Sequence, residues 1–296
     1  MTSQTVPFRF LSETSVYPPL SVTPPACAGL RLSVIPIPLL GKNDKHVRLD
    51  RRKLDPPVKH FILTAFVLAT LPSCGGKARE KEVNQHIGER MNTELATKEL
   101  ELGSPAFIRA FKEERELELF VQNKDTGKFE LFRKYPIAAA SGDIGPKLME
   151  GDGQVPEGFY FVPPSAMNPK SAFHLAFNIG YPNAYDKAHD RTGSFIMIHG
   201  SNVSIGCLAM TDKKIEEIYT ICQAAHEGGQ AYFRVHIFPF RMTDERMEKA
   251  AGSKWLPFWQ NLKTGHDLFE LNKVPPNVTV KDKEYVFELP KSATDH

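Results

Sequence analysis

From Ala106 onward, glycine and proline cut the chain into short apolar and aromatic runs, which constrains what it can fold into more than any other feature. The runs Ala106–Phe111, Glu116–Gln122, Lys128–Lys134, Gly158–Val162, Ala172–Asn178 and Phe195–His199 read as strands. Short strands each leave an apolar face that another layer must cover. The pattern therefore predicts a mainly β fold with some α: a sandwich-like β core with flanking helices. Thr211-Asp212 opens a helix running to about Ala225, with Ile215, Ile218, Tyr219 and Cys222 on one face. Ala231–Phe238 returns as a strand, helical stretches follow near Asp244–Ala251 and Trp255–Leu262, and a last strand is expected over Thr279–Leu289. Before the strands, residues 75–104 are charged. They read as a tether plus an outer helix over Lys81–Lys98, with apolar residues too sparse for deep burial. No internal repeat, phosphate-cradling glycine loop or paired Cys-x-x-Cys site is visible.

The first quarter of the chain has a different character. Residues 1–57 hold 9 of the 23 prolines and sustain no period of strand or helix. Val58-Lys59-His60 then leads into an apolar run, Phe61–Leu71, which ends in Leu71-Pro72-Ser73-Cys74. A basic start, a short apolar stretch and a small-residue end describe a secretory signal over 58–74, shorter than the roughly 20 residues a spanning helix needs. The ending resembles a bacterial lipobox, which implies a lipidated Cys74 as the mature N-terminus and an exported, lipid-anchored protein of the bacterial envelope. Gly75 after that cysteine implies the periplasmic face of the outer membrane in a diderm host. Residues 1–57 are then either a disordered leader or lie upstream of a true start near Val58. With Cys27 in that leader and Cys74 lipidated, Cys207 and Cys222 remain, which is no disulfide framework. A net charge of +2 gives no argument for nucleic acid as a partner.

One stretch carries chemistry. The apolar run Phe195–Ile198 delivers His199-Gly200, and Gly206-Cys207 follows eight residues after the histidine. Cysteine attacks carbonyls as its thiolate, so a nearby base makes one catalytic. A glycine before the nucleophile lets the backbone turn tightly and leaves amide N–H groups, here those of Gly206 and Cys207, free to face a carbonyl oxygen. The plain alternative is a buried cysteine beside a strand-end histidine. Cys222, on the apolar face of a helix, reads as packing.

The sequence His199-Gly200-Ser201-Asn202-Val203-Ser204-Ile205-Gly206-Cys207-Leu208-Ala209-Met210 resembles the signature of the YkuD-type L,D-transpeptidase catalytic domain, in its compact YafK-like branch. Further blocks agree in order: Gly103–Glu113, Ser141–Lys147, Glu150–Tyr160, Asn178–Asp186, Arg191–Gly193 and His236–Met242. The resemblance implies a catalytic domain over 105–240 and a helical and strand extension over 241–296 packed on it. Two positions depart from the broader family. Ile205 stands where a second histidine is common, and Ala209 where an arginine is common.

The resemblance implies acyl transfer on peptidoglycan stem peptides with no cofactor or metal. Cys207 is the implied nucleophile and His199 the proton acceptor and donor, its ring held by the backbone carbonyl of Gly200. The Gly206 and Cys207 N–H groups would bind the oxyanion. Ser204 is expected to bond locally beside the substrate, and Tyr181, Tyr185 and Asp186 to line the groove, although Pro182-Asn183 also reads as a turn. With Ala209 in place of arginine, Arg191 and Arg241 are the candidates for the substrate carboxylate. The acceptor reads three ways: an amine, which makes a transpeptidase; water, which cuts a stem amide or the link to a wall-attached lipoprotein; or none, an idle wall-binding protein.

Overall fold

Glycine and proline punctuation sets the strand lengths in the computed structural model, which describes residues 75–290. The leader 1–57, the signal segment 58–74 and Cys74 lie outside the described residues. In chain order the elements are α1 (Gly75–Ala96), β1 (Ala106–Phe111), β2 (Glu116–Gln122), β3 (Phe129–Pro136), β4 (Ala139–Ala140), β5 (Gly158–Val162), β6 (Met167–Ser171) and β7 (His174–Asn178). There follow α2 (Ala184–Ala188), β8 (Met197–His199), β9 (Leu208–Ala209), α3 (Asp212–Glu227), β10 (Phe233–Phe238), α4 (Asp244–Lys249), α5 (Leu256–Asn272), β11 (Asn277–Lys281) and β12 (Glu284–Glu288).

Two five-stranded sheets result, in the orders β3-β2-β1-β10-β5 and β4-β9-β8-β7-β6, with β11-β12 as a separate hairpin. Each sheet has one parallel pair at or near its centre, β1 with β10 and β8 with β9; the other pairs are antiparallel. β1 is buried along its whole length, its one charged residue, Arg109, being paired with the buried Glu118. One face of the first sheet (Ile108, Leu117, Leu119, Val235, Ile237) joins Phe177, Ile198 and Leu208 of the second sheet and Ile215, Ile218 and Cys222 of α3 in the main core. On its other face, Phe111, Phe159 and Phe238 pack with Trp259 and Leu262 of α5 and Tyr285 of the hairpin, beside a smaller cluster of Phe107, Phe120 and Phe269. Burying one such side chain contributes about 1.5–3 kcal/mol.

Four expectations change. The helix before the strands is no outer tether: Ile87, Met91 and Leu95 form a stripe four residues apart that enters the main core, Met91 and Leu95 completely. The helix expected to end near Leu262 runs on to Asn272, since Leu262 and Phe269 both face the core. The single last strand is a hairpin turning at Asp282-Lys283, both with positive φ. The strand expected from Ala172 begins at His174 and pairs with β6, whose Pro169 is tolerated at the sheet edge.

Candidate active site

The parallel pair β8–β9 sets Cys207 and His199 on one face. Its register sets Ile198 against Leu208 and His199 against Ala209. Ile198 and Leu208 point into the core, so strand alternation turns His199 and Cys207 to the opposite face. Cys207 lies one residue before β9, and its sulfur is 3.4 Å from the Met197 N–H. The intervening loop is pinned at its base. The N–H groups of Met210 and Thr211 donate to the carbonyls of His199 and Ser201, and Ser201 N–H donates to Asp212 Oδ1. A Cβ on Gly200 would lie 2.7 Å from both Asp212 Oδ1 and the Phe173 carbonyl, so this close approach requires glycine.

His199 is 3% exposed, and its Nδ1–H donates to the Gly200 carbonyl 2.6 Å away. A carbonyl only accepts, so the proton sits on Nδ1 and Nε2 carries the lone pair. Phe173 covers the ring, with centroids 4.8 Å apart. Burial lowers the His199 pKa against the opposing effect of the Gly200 bond. Burial likewise raises the Cys207 pKa, and the Met197 N–H and the Lys147 charge oppose it. The thiol points toward the Phe195 carbonyl, 3.7 Å away. Both shifts favour the neutral forms, a thiol and an unprotonated imidazole.

The amide groups also differ from expectation. Cys207 N–H donates to Ser204 Oγ at 3.0 Å, and that hydroxyl donates to the Cys207 carbonyl at 2.6 Å. Gly206 N–H donates to Ser141 Oγ at 2.5 Å, and Ser141 donates in turn to the Gly153 carbonyl. Neither amide is free, and the Ser204 hydroxyl accepts one bond and donates one within its own loop. Gly206 has φ +88°, a conformation glycine adopts at no steric cost.

The other expected substrate residues are tied to protein partners, all but the partly exposed Arg241 in the interior. Tyr181 is buried and donates to the Lys147 carbonyl at 3.1 Å. Asp186 is fully buried; it completes a capping box with Asn183 at the start of α2, accepts from Tyr160, and pairs with Arg191 at 2.9 Å. Burial raises its pKa, and Arg191 pulls it back. Tyr185 stacks on Tyr285, centroids 4.3 Å apart, with the Arg191 guanidinium against its ring. Arg241 pairs with Glu116 and Glu118 over the Phe111 ring. Both arginines are thus already matched by carboxylates, which removes them as free anchors for a substrate carboxylate.

The sequence reading missed Lys147. It is 3% exposed, its Nζ bonds Asp152 Oδ1 at 2.6 Å and the Met149 carbonyl at 2.9 Å, and its charge reaches Cys207. Lys147 closes the Ser141–Lys147 block of the family resemblance, which was the signal that could have marked it. Phe195 (70% exposed), Val203 (56%) and Ile205 (86%) are exposed apolar side chains on the segment that leads to Cys207. A cavity of ≈ 590 Å³ adjoins it, lined by Phe161, Met167, Asn168, Asn178, Phe195 and Met197. Among the described residues no cluster of His, Cys, Asp or Glu could hold a metal ion, and no helix is long and apolar enough to cross a membrane.

The model of YkuD, the L,D-transpeptidase catalytic domain, matches residues 105–237. The chain is 43% identical over 209 residues to the Escherichia coli K12 protein named "Putative L,D-transpeptidase YafK", covering 70% of this chain and 84% of the relative; the same holds for its Escherichia coli O157:H7 counterpart. Among solved structures, the helical cell shape determining protein Pgp2 of Campylobacter jejuni matches at 20% identity, covering 67% of this chain and 82% of that one, with a TM-score of 0.38. Bd1075 of Bdellovibrio bacteriovorus matches at 18% identity, covering 62% and 84%, with a TM-score of 0.33.

Proposed function

Because the chain belongs to the family of YkuD L,D-transpeptidase catalytic domains, we propose that it is a peptidoglycan L,D-transpeptidase of cell-wall remodelling, with Cys207 as nucleophile. The observation that carries the reading is the shared face of β8 and β9. It sets a thiol beside an imidazole whose Nε2 is left unprotonated by the Nδ1–H bond to Gly200.

In this mechanism the thiol turns from the Phe195 carbonyl to His199 Nε2, which takes its proton as the sulfur attacks a stem-peptide carbonyl. A neutral starting pair suits this, because proton transfer and attack are then coupled and no thiolate waits exposed to other electrophiles. The C–N bond to the terminal D-amino acid breaks, and His199 returns the proton to the leaving amine. The thioester is resolved by an amine of a second stem, which releases the thiol and forms a new amide. The developing oxyanion requires Gly206 and Cys207 N–H groups to exchange Ser141 and Ser204 for substrate oxygen, where one such donor is worth roughly 2.7–4 kcal/mol.

The same site with water as acceptor is the second reading: a hydrolase that cuts a stem amide or the link to a wall-attached lipoprotein. It is favoured by Ala209, fully buried where an arginine is common, and by the internal pairing of Arg191 and Arg241. Substrate anchoring here is unlike the common form under either reading. Mass spectrometry of muropeptides incubated with the full chain decides between the two. New cross-linked products mean an amine acceptor, trimmed monomers mean water, and unchanged muropeptides refute both. We further propose that Cys74 is lipidated and holds the domain at an envelope membrane. Intact-mass analysis of the exported protein tests this, and a soluble chain retaining residues before Cys74 refutes it.

A further inference from the structure

A second cavity lies on the outer face of the first sheet, under the β11–β12 hairpin. Its shape follows from register: β10 and β5 set Arg234 against Phe161 and His236 against Phe159. Val235, Ile237, Tyr160 and Val162 point to the main core, so these four side chains share the opposite face. The hairpin covers this face and leaves a cavity of ≈ 260 Å³, also lined by Tyr232 and Asn277.

The donors of this cavity lack the partners that comparable groups have elsewhere. His236 is 1% exposed, and neither ring nitrogen meets a hydrogen-bonding protein group. Its neighbours are the rings of Phe107 and Phe159, 4.6 and 4.7 Å away. Arg234 donates to Asn277 Oδ1 at 2.7 Å and lies over the Tyr232 ring, with no carboxylate within ion-pair distance among the described residues. Arg90, Arg109, Arg133, Arg191, Arg241 and Arg246 all have one. A half-buried guanidinium with spare donors and a buried imidazole N–H both remain costly until an acceptor arrives. A carboxylate fits the guanidinium fork. Phe161 (57% exposed) and Tyr232 (41%), with centroids 5.4 Å apart, form a flat aromatic mouth.

We propose that this cavity is a second ligand site, which takes a small carboxylate with a flat apolar body, its anion at Arg234 above His236. Phe161 also lines the cavity beside Cys207, so an occupant reaches a wall of that groove. The proposal does not depend on the reaction assigned to Cys207.

Titration of the full chain with benzoate, followed through the histidine ring NMR signals, tests it; benzamide is the neutral control. The expected result is a saturable shift of the His236 signals with benzoate, absent with benzamide and unchanged in Cys207→Ala. Arg234→Gln should weaken it at least tenfold. Tyr232→Ala, at the exposed mouth, should weaken it severalfold and carries the test if Arg234→Gln fails to fold. An unmoved His236, equal binding of benzamide, or undiminished binding in the folded variants overturns the proposal.

Discussion

The backbone N–H of Gly206 donates to the hydroxyl of Ser141 at 2.5 Å, and the same hydroxyl donates to the Gly153 carbonyl. One serine thus ties the turn before the proposed nucleophile to the loop carrying Lys147 and Asp152. It also occupies the amide that an oxyanion would need. The arrangement keeps the amide aimed at the position next to Cys207 while no substrate is present.

Ser141→Ala separates two kinds of thiol chemistry. Acylation builds an oxyanion that needs an aimed Gly206 N–H; alkylation by iodoacetamide does not. The variant should lose on the order of tenfold in acyl transfer, about one hydrogen bond's worth, with alkylation unchanged. Parallel measurement of the two rates checks this, and equal loss in both would assign Ser141 to the fold alone.

The neutral resting pair predicts the pH behaviour. Burial raises the Cys207 pKa, so the alkylation rate of the folded protein should climb without a plateau from about pH 6 to about pH 8. A thiolate–imidazolium pair would instead level off in that range. Stability should also depend on pH, on the acid side. Burial lowers the pKa of His199, His236 and His266 below 6.5, so below that value the unfolded chain binds protons that the folded chain refuses. Stability is then lost as pH falls through 6.5, measurable by urea unfolding across pH.

Arg191→Gln should destabilise the fold rather than change substrate affinity. It strands the carboxylate of Asp186 at 0% exposure, a loss expected to cost about 3–5 kcal/mol. Urea midpoints and KM, taken together, check this; a raised KM at unchanged stability would restore Arg191 as a substrate contact.

Leu95→Ala should cost about 2–5 kcal/mol, because its side chain is fully enclosed in the main core. An outer-tether helix would show almost no change, so denaturant unfolding separates the two descriptions of α1.

The central β run was legible in the sequence because strand alternation acts locally, and the same alternation puts His199 and Cys207 on one face of β8 and β9. α3 was legible through its apolar face of Ile215, Ile218, Tyr219 and Cys222. α1 was not, since Ile87, Met91 and Leu95 make a stripe only one residue wide in a charged segment. The hairpin was hidden because Asp282-Lys283 adopts positive φ without the glycine that marks such turns. The substrate groove was misread for a related reason. Composition cannot tell an exposed Arg, Asp or Tyr from one paired in the interior, as Arg191, Asp186 and Tyr185 are. Nor could it show that Ser141, some 65 residues upstream, would reach Gly206.

The most direct test of the account is peptide mapping of the folded full chain after incubation with a carbapenem, an acylating agent that the family resemblance implies. Cys207 is accessible beside a base, whereas Cys222 is fully buried with its thiol raised by that burial. The account predicts one adduct, on Cys207, absent in Cys207→Ala and strongly reduced in His199→Ala, with Cys222 unmodified. Equal labelling of both cysteines, and only after unfolding, would contradict it.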